Sequence, residues 1–250
     1  MTTPPRPAGR ASGPADASTD PADAARSATG TAAFVRLLLD SEVVRFGGFV
    51  GRSGRRMPYF IDAGRFRTGR QLDQLGSAYA AAIAARFGDR VDVLFGPAYK
   101  GIPLAVTAGV ALARDHGLDV GVCFDRKEPK DHGEGGTLIG HQLVDGDRVV
   151  IVEDVTTAGT SIRASLPMLR AQADVEVVGL VVGVDRRERG RTDRSALTEL
   201  SEEFGFETVA LATIDDIIAH LTASPGADGP HLGPDDLARI AAYRAEHGAR

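Results

Sequence analysis

Lysine is nearly missing from this chain: of 29 basic residues only Lys100, Lys127 and Lys130 are lysines, and the rest are arginines. An ammonium is a compact, mobile, titratable point charge, whereas a guanidinium is a fixed planar fork. Lysines retained close together in an arginine-writing chain therefore point to phosphate or proton work. Cysteine is scarcer still. The single Cys123 excludes a disulfide framework and a cysteine-rich metal site. It lies in the apolar run Val120–Phe124 and reads as a core residue. Positive charge is not in excess either. A net charge of −5 argues against nonspecific nucleic-acid binding, which wants a basic face. No apolar run approaches the length of a membrane span, so no membrane partner is expected. The N-terminus lacks the hydrophobic core of a signal peptide, and Asp16, Asp20 and Asp23 are wrong for a transit peptide. A cytoplasmic protein is the expectation.

Residues 1–30 are rich in Ala, Pro, Ser, Thr and Gly without periodicity, the composition of a disordered tail. Residues 223–250 read as a C-terminal extension with a short helix marked by Leu237, Ile240 and Tyr243. Between them, 31–222 reads as one domain. Helical patterns at about 32–44, 69–87, 101–116, 159–172 and 214–222 alternate with apolar strand-like runs at about 91–95, 120–124, 149–153, 176–184 and 207–212. Alternation of this kind predicts a doubly wound α/β fold with a mostly parallel sheet, in which ligands bind beyond the carboxyl ends of the strands.

Residues 149–161, Val-Val-Ile-Val-Glu-Asp-Val-Thr-Thr-Ala-Gly-Thr-Ser, combine a buried strand, the carboxylates of Glu153 and Asp154, a small hydroxyl-rich turn and a helix start. The first amides of a helix are unpaired and its dipole favours an anion, so the turn suits a phosphate. Two carboxylates beside it suit ribose hydroxyls or a metal shared with them. Phe95-Gly-Pro-Ala-Tyr-Lys-Gly101 likewise links a strand to a helix, with Tyr99 and Lys100 projecting as they would toward a pyrophosphate. Arg126–Gly140 holds Arg126, Lys127, Lys130 and His132 among four glycines. Most charge runs are solvated loops, but this one has the makings of a mobile lid over an anionic substrate.

These stretches, with Phe46-Gly-Gly-Phe49, Ser53-Gly-Arg55, Pro58-Tyr-Phe60 and Asp185-Arg-Arg-Glu-Arg-Gly190, resemble the orotate phosphoribosyltransferases over about residues 34–222. The 153–161 motif alone would give the type I phosphoribosyltransferase class; the Lys-Asp-His-Gly-Glu-Gly-Gly and Asp-Arg-Arg-Glu-Arg-Gly stretches narrow it. The resemblance implies the type I fold, a twisted, mostly parallel sheet flanked by helices with a small hood subdomain and a lid. It implies transfer from 5-phosphoribosyl pyrophosphate (PRPP) to orotate, Mg²⁺ held mainly by PRPP oxygens, and a homodimer whose lid reaches the neighbouring site.

Carried onto this sequence, it implies that Thr156, Thr157, Ala158, Gly159, Thr160 and Ser161 bind the 5′-phosphate while Glu153 and Asp154 hold the ribose hydroxyls. Tyr99, Lys100, Arg126 and Lys127 would hold pyrophosphate. Lys130 and His132 would come from the lid, His132 either as a proton donor or as a neutral hydrogen-bonding group. Arg186 would grip the orotate carboxylate beside Thr157, and Phe60 would sit by the ring. Lys130, His132, Asp154 and Lys100 are the expected catalytic group. Two departures stand out. Arg52 replaces the usual lysine before Ser-Gly-Arg, and Glu153 replaces the first aspartate of the ribose pair. A purine phosphoribosyltransferase and a PRPP-sensing regulator are the rival readings. Arg186 with Phe60 favours an acidic pyrimidine over the first, and the lid with the acidic balance disfavours the second.

Overall fold

The strands of this chain carry two interleaved sets of apolar residues, and that fact organises the molecule. A computed structural model describes residues 21–51, 54–126, 137–223 and 230–250. Helix α1 (Pro21–Asp40) leads into β1 (Val44–Val50) and β2 (Arg56–Ile61), an antiparallel pair forming its own two-stranded sheet. Then follow α2 (Gly69–Arg86), β3 (Val93–Phe95), α3 (Gly101–Ala111), β4 (Gly121–Asp125), β5 (Leu138–Gly140), β6 (Arg148–Thr156) and α4 (Thr160–Arg170). The chain continues through β7 (Glu176–Asp185), α5 (Ala196–Phe204), β8 (Glu207–Thr213), α6 (Ile214–Ala223) and α7 (Pro234–His247).

The main sheet has the order β5-β4-β3-β6-β7-β8, and only β5 runs antiparallel. Successive residues of a strand face opposite sides. Along β6, Val150 and Val152 enter one core with Leu94, Val181 and residues of α1, α2, α3 and α6. Val149 and Ile151 enter the other with Val93, Phe95, Val182 and residues of α4 and α5. A sheet covered on both faces needs such unbroken apolar runs, which is why the five parallel strands were visible in the sequence.

From β3 the chain winds outward to β4; from β6 it winds the other way to β7 and β8. The topological switch therefore falls between β3 and β6, and the loops leaving their carboxyl ends border one crevice. Those loops are the two glycine-bearing motifs.

Both ends of the domain differ from expectation. Helix α1 begins at Pro21, inside the stretch read as a disordered tail. Its Ala-rich composition favours helix, and proline is well placed in a first turn. Helix α7 is no appendage. Ile240 and Tyr243 are buried in the core shared by α1 and β2, and the Tyr243 ring meets Tyr59 edge-on at 5.7 Å. The hairpin β1–β2 and helix α5 had no counterpart in the periodicity. A bulge between Phe46 and Phe49 breaks the alternation of β1, and α5 is only 9 residues long.

Candidate active site

Lys100 and Asp154 join the two loops. Lys100 Nζ donates to Asp154 Oδ2 at 3.1 Å and lies 3.7 Å from Asp62 Oδ1 at the end of β2. Burial works to lower the Lys100 pKa, and the facing carboxylates of Asp154 and Asp62 outweigh it, so the ammonium is held above its usual range. The charge is therefore present throughout the neutral pH range. The lysine loop is built on two glycines packed backbone to backbone. A Cβ on Gly96 would stand 2.1 Å from the Gly101 carbonyl oxygen, and one on Gly101 would stand 2.6 Å from the Gly96 carbonyl carbon. Ala98–Tyr99 is a cis peptide, the Ala98 amide donates to Asp125, and Tyr99 is 70% exposed.

The second loop turns into α4 through Gly159, whose φ of 66° is left-handed. No side chain caps α4, so its first amides are left for an anion. Thr156 is buried at the end of β6, Ala158 is half-buried, and Thr157, Thr160 and Ser161 are exposed.

The acid pair divides its work. Asp154 meets Lys100 across the crevice. Glu153 is buried instead: its Oε2 accepts from Ser161 Oγ at 3.0 Å, its Oε1 from the Asp154 amide at 3.2 Å, and its carbonyl from the Tyr79 hydroxyl at 2.7 Å. In this geometry the Glu153 carboxylate is bonded to the phosphate-type loop through Ser161.

Burial first, then the Asp154 charge, push the Glu153 pKa from 4.5 up to about 7, against the lowering effect of its hydrogen bonds. The folded chain thus holds this proton more tightly than the unfolded chain. Glu153 favours folding below the ordinary carboxylate pKa, and that contribution is lost as pH rises through about 7. Accordingly, the Tm of Glu153→Gln minus that of the wild type should increase between about pH 5 and about pH 8. A difference that stays constant across a pH series of thermal melts would sink this account.

The third group lies just past β7. Thr156 and Asp185 are register partners, so Thr157 and Arg186 leave adjacent strands at one level. Arg186 is buried, with Nε and Nη2 donating to Glu188 Oε1 at 2.9 and 2.6 Å. Burial opposes its charge, but Glu188 and the nearby tyrosines raise its pKa on balance. The expected open fork is thus partly committed within the protein. Phe60, half-buried on β2, packs 5.7 Å from Phe49, and the Arg45 guanidinium lies over both rings.

Arg126, just past β4, bonds its amide to the Thr137 carbonyl at 2.8 Å, closing the base of the lysine-bearing segment. Its Nη1 is buried without a hydrogen-bond partner among the described residues. Arg52, Lys127, Lys130 and His132 lie outside the described residues. Sequence reasoning missed Asp62, Asp125, Tyr79 and Glu188. Only Glu188 carried a signal, an acid inside an otherwise basic Arg-Arg-Glu-Arg run.

The phosphoribosyl transferase domain model matches residues 66–212. An orotate phosphoribosyltransferase of Clostridium acetobutylicum is 47% identical over 218 residues, covering 87% of this chain and 97% of the relative. This chain belongs to the orotate phosphoribosyltransferase family. A second member, from Clostridium beijerinckii, is 50% identical over 218 residues with the same coverage. The crystal structure of the Francisella tularensis orotate phosphoribosyltransferase superposes with a TM-score of 0.72 at 32% identity, covering 86% of this chain and 99% of that one. The type I fold read from the sequence is therefore the fold of this chain. The family core at 66–212 spans both crevice loops and Arg186, while Phe60, Asp62 and α7 lie outside it.

Proposed function

We propose that the chain transfers the 5-phosphoribosyl group from PRPP to orotate, yielding orotidine 5′-monophosphate and pyrophosphate for pyrimidine biosynthesis. The observation that carries this reading is the Lys100–Asp154 bridge, which sets a pyrophosphate-type loop against a monophosphate-type loop at the switch between β3 and β6. The uncapped amides of α4 and the hydroxyls of Thr157, Thr160 and Ser161 hold the 5′-phosphate. Asp154 takes the ribose hydroxyls, and Glu153 keeps Ser161 in place. Lys100 and Tyr99 take pyrophosphate oxygens, together with Arg126, whose buried Nη1 has no partner among the described residues and is a donor that such an oxygen would satisfy. Lys127, Lys130, His132 and Arg52 join them on the strength of residue type and motif. Arg186 and Thr157 receive the orotate carboxylate, with Phe60 beside the ring.

A ring nitrogen of orotate attacks the anomeric carbon while the bond to pyrophosphate breaks, through an oxocarbenium-like state. The protein has little covalent chemistry to perform. Its residues align the nucleophile and stabilise charge on the departing pyrophosphate. Mg²⁺ would supply a hard cation that offsets pyrophosphate charge. Asp154 offers it one carboxylate, and a hard ion of this kind takes the rest of its ligands readily from substrate oxygens.

A homodimer fits the exposed Val106 and Val110, one turn apart on α3, with exposed Tyr99 before that helix. A monomeric mass at assay concentration would remove this proposal. Among the described residues no helix is long and apolar enough to cross a membrane. A cytoplasmic location is proposed from the soluble substrates. Mixing the protein with orotate, PRPP and Mg²⁺ should give PRPP-dependent loss of orotate absorbance. Turnover of adenine or hypoxanthine without turnover of orotate would overturn the base assignment.

A further inference from the structure

Glu188 is 5% exposed and sits where three distant parts of the chain meet. Its Oε1 accepts from Arg186 Nε and Nη2, and also from the Tyr59 hydroxyl of β2 at 2.9 Å. Arg55 Nη1 lies 3.4 Å from Oε2. From α7, the Tyr243 hydroxyl stands 3.5 Å from Arg186 Nη2. Backbone bonds fasten the same loop to the end of the chain: the Arg189 amide to the His247 carbonyl, and the Ala249 amide to the Arg187 carbonyl, each at 2.9 Å.

The bonds to Glu188 use one edge of the guanidinium, Nε and Nη2, and Nη1 takes part in none of them. A planar fork held by one edge cannot swing, and its remaining donors point in a fixed direction. We infer that Glu188 is a positioning residue for base recognition: it clamps the inner edge of Arg186 so that the Nη1 side is presented to the orotate carboxylate. The inference rests on the reading of Arg186 as the orotate-carboxylate ligand.

The same contacts have a competing meaning. Glu188 would instead be a stand-in for the substrate carboxylate, displaced when orotate arrives. Displacement would strand a buried carboxylate and break the Tyr59 bond with it, and a buried charge deprived of its partner is costly. The clamp keeps every partner. The two meanings also predict opposite signs, because removing a competitor tightens orotate binding and removing a clamp weakens it.

Steady-state kinetics of Glu188→Gln in the full chain, beside Arg186→Lys, decide between them. The clamp requires the orotate KM of Glu188→Gln to rise by about tenfold or more, with the PRPP KM within about twofold of wild type. An unchanged or lowered orotate KM in Glu188→Gln overturns it. So does a parallel rise in both KM values, which signals general damage. If Arg186→Lys leaves the orotate KM unchanged, the reading of Arg186 fails and takes the clamp with it. If Arg186→Lys raises it and Glu188→Gln does not, only the clamp fails. Should Glu188→Gln not fold, Tyr59→Phe removes a single hydroxyl from Glu188. An orotate-selective KM increase of about threefold supports the clamp, and its absence overturns it.

Discussion

Replacing Lys100 with alanine should lower kcat by about 10²–10³ while the protein stays folded. The ammonium is half exposed at the mouth of the crevice, so little packing is lost with it. What disappears is a cation held between Asp154 and Asp62 at the end of the loop that receives the leaving group. Charge on pyrophosphate grows as its bond to the anomeric carbon breaks, and a preorganised donor acts mainly on that growth. Because the lysine pKa is raised, its charge does not titrate near neutrality, and the wild-type pH profile should carry no lysine limb there. Lys100→Arg should recover part of the rate, since charge returns without the compact head. Single-turnover measurements with saturating PRPP separate chemistry from binding. A wild-type rate in Lys100→Ala would remove the residue from the reaction.

Gly96→Ala should cost on the order of 3 kcal/mol or more of stability, or prevent folding, despite adding one methyl group. The new Cβ would meet the Gly101 carbonyl oxygen at 2.1 Å, and backbone at that place cannot step aside as a side-chain tip can. Relief would require moving the start of α3 away from the end of β3, and with it Lys100. A control lies close by in sequence. Gly69 opens α2 with nothing within 4 Å of its would-be Cβ, so Gly69→Ala should be neutral or slightly stabilising. Denaturant unfolding of the two variants tests the contrast. Equal stabilities would mean the two glycines are not in the tight contact described.

Parallel strands and the loops that follow them were legible because a strand buried on both faces has to be written as a continuous apolar run. Val149–Val152 and Val181–Val182 are such runs. The loops announced themselves through small residues placed directly after the strands. The Lys100–Asp154 contact was foreseeable only as a shared crevice, since each residue's motif could be read but not their approach to 3.1 Å. The different partners of Glu153 and Asp154 were not legible, because adjacent carboxylates look equivalent in a sequence. Strand alternation sends them to opposite sides, and one is buried. Asp62 and Tyr79 had no local pattern to betray them, because each owes its role to a partner 38 or 74 positions away. Helix α7 looked like an extension because Tyr243 finds its ring partner, Tyr59, in β2, far earlier in the chain.

The division of β6 between two cores bears on which sequence changes this chain can absorb. A point substitution at Val150 or Ile151 alters one contact on one face. Deleting a single codon between Val149 and Glu153 would hand each core the residues of the other and exchange the sides that Glu153 and Asp154 face. The spacing from Val149 to Thr156 is therefore held more firmly than the identity of any one residue within it. Length variation among relatives should collect at the turns before β6 and after α4, never inside the strand.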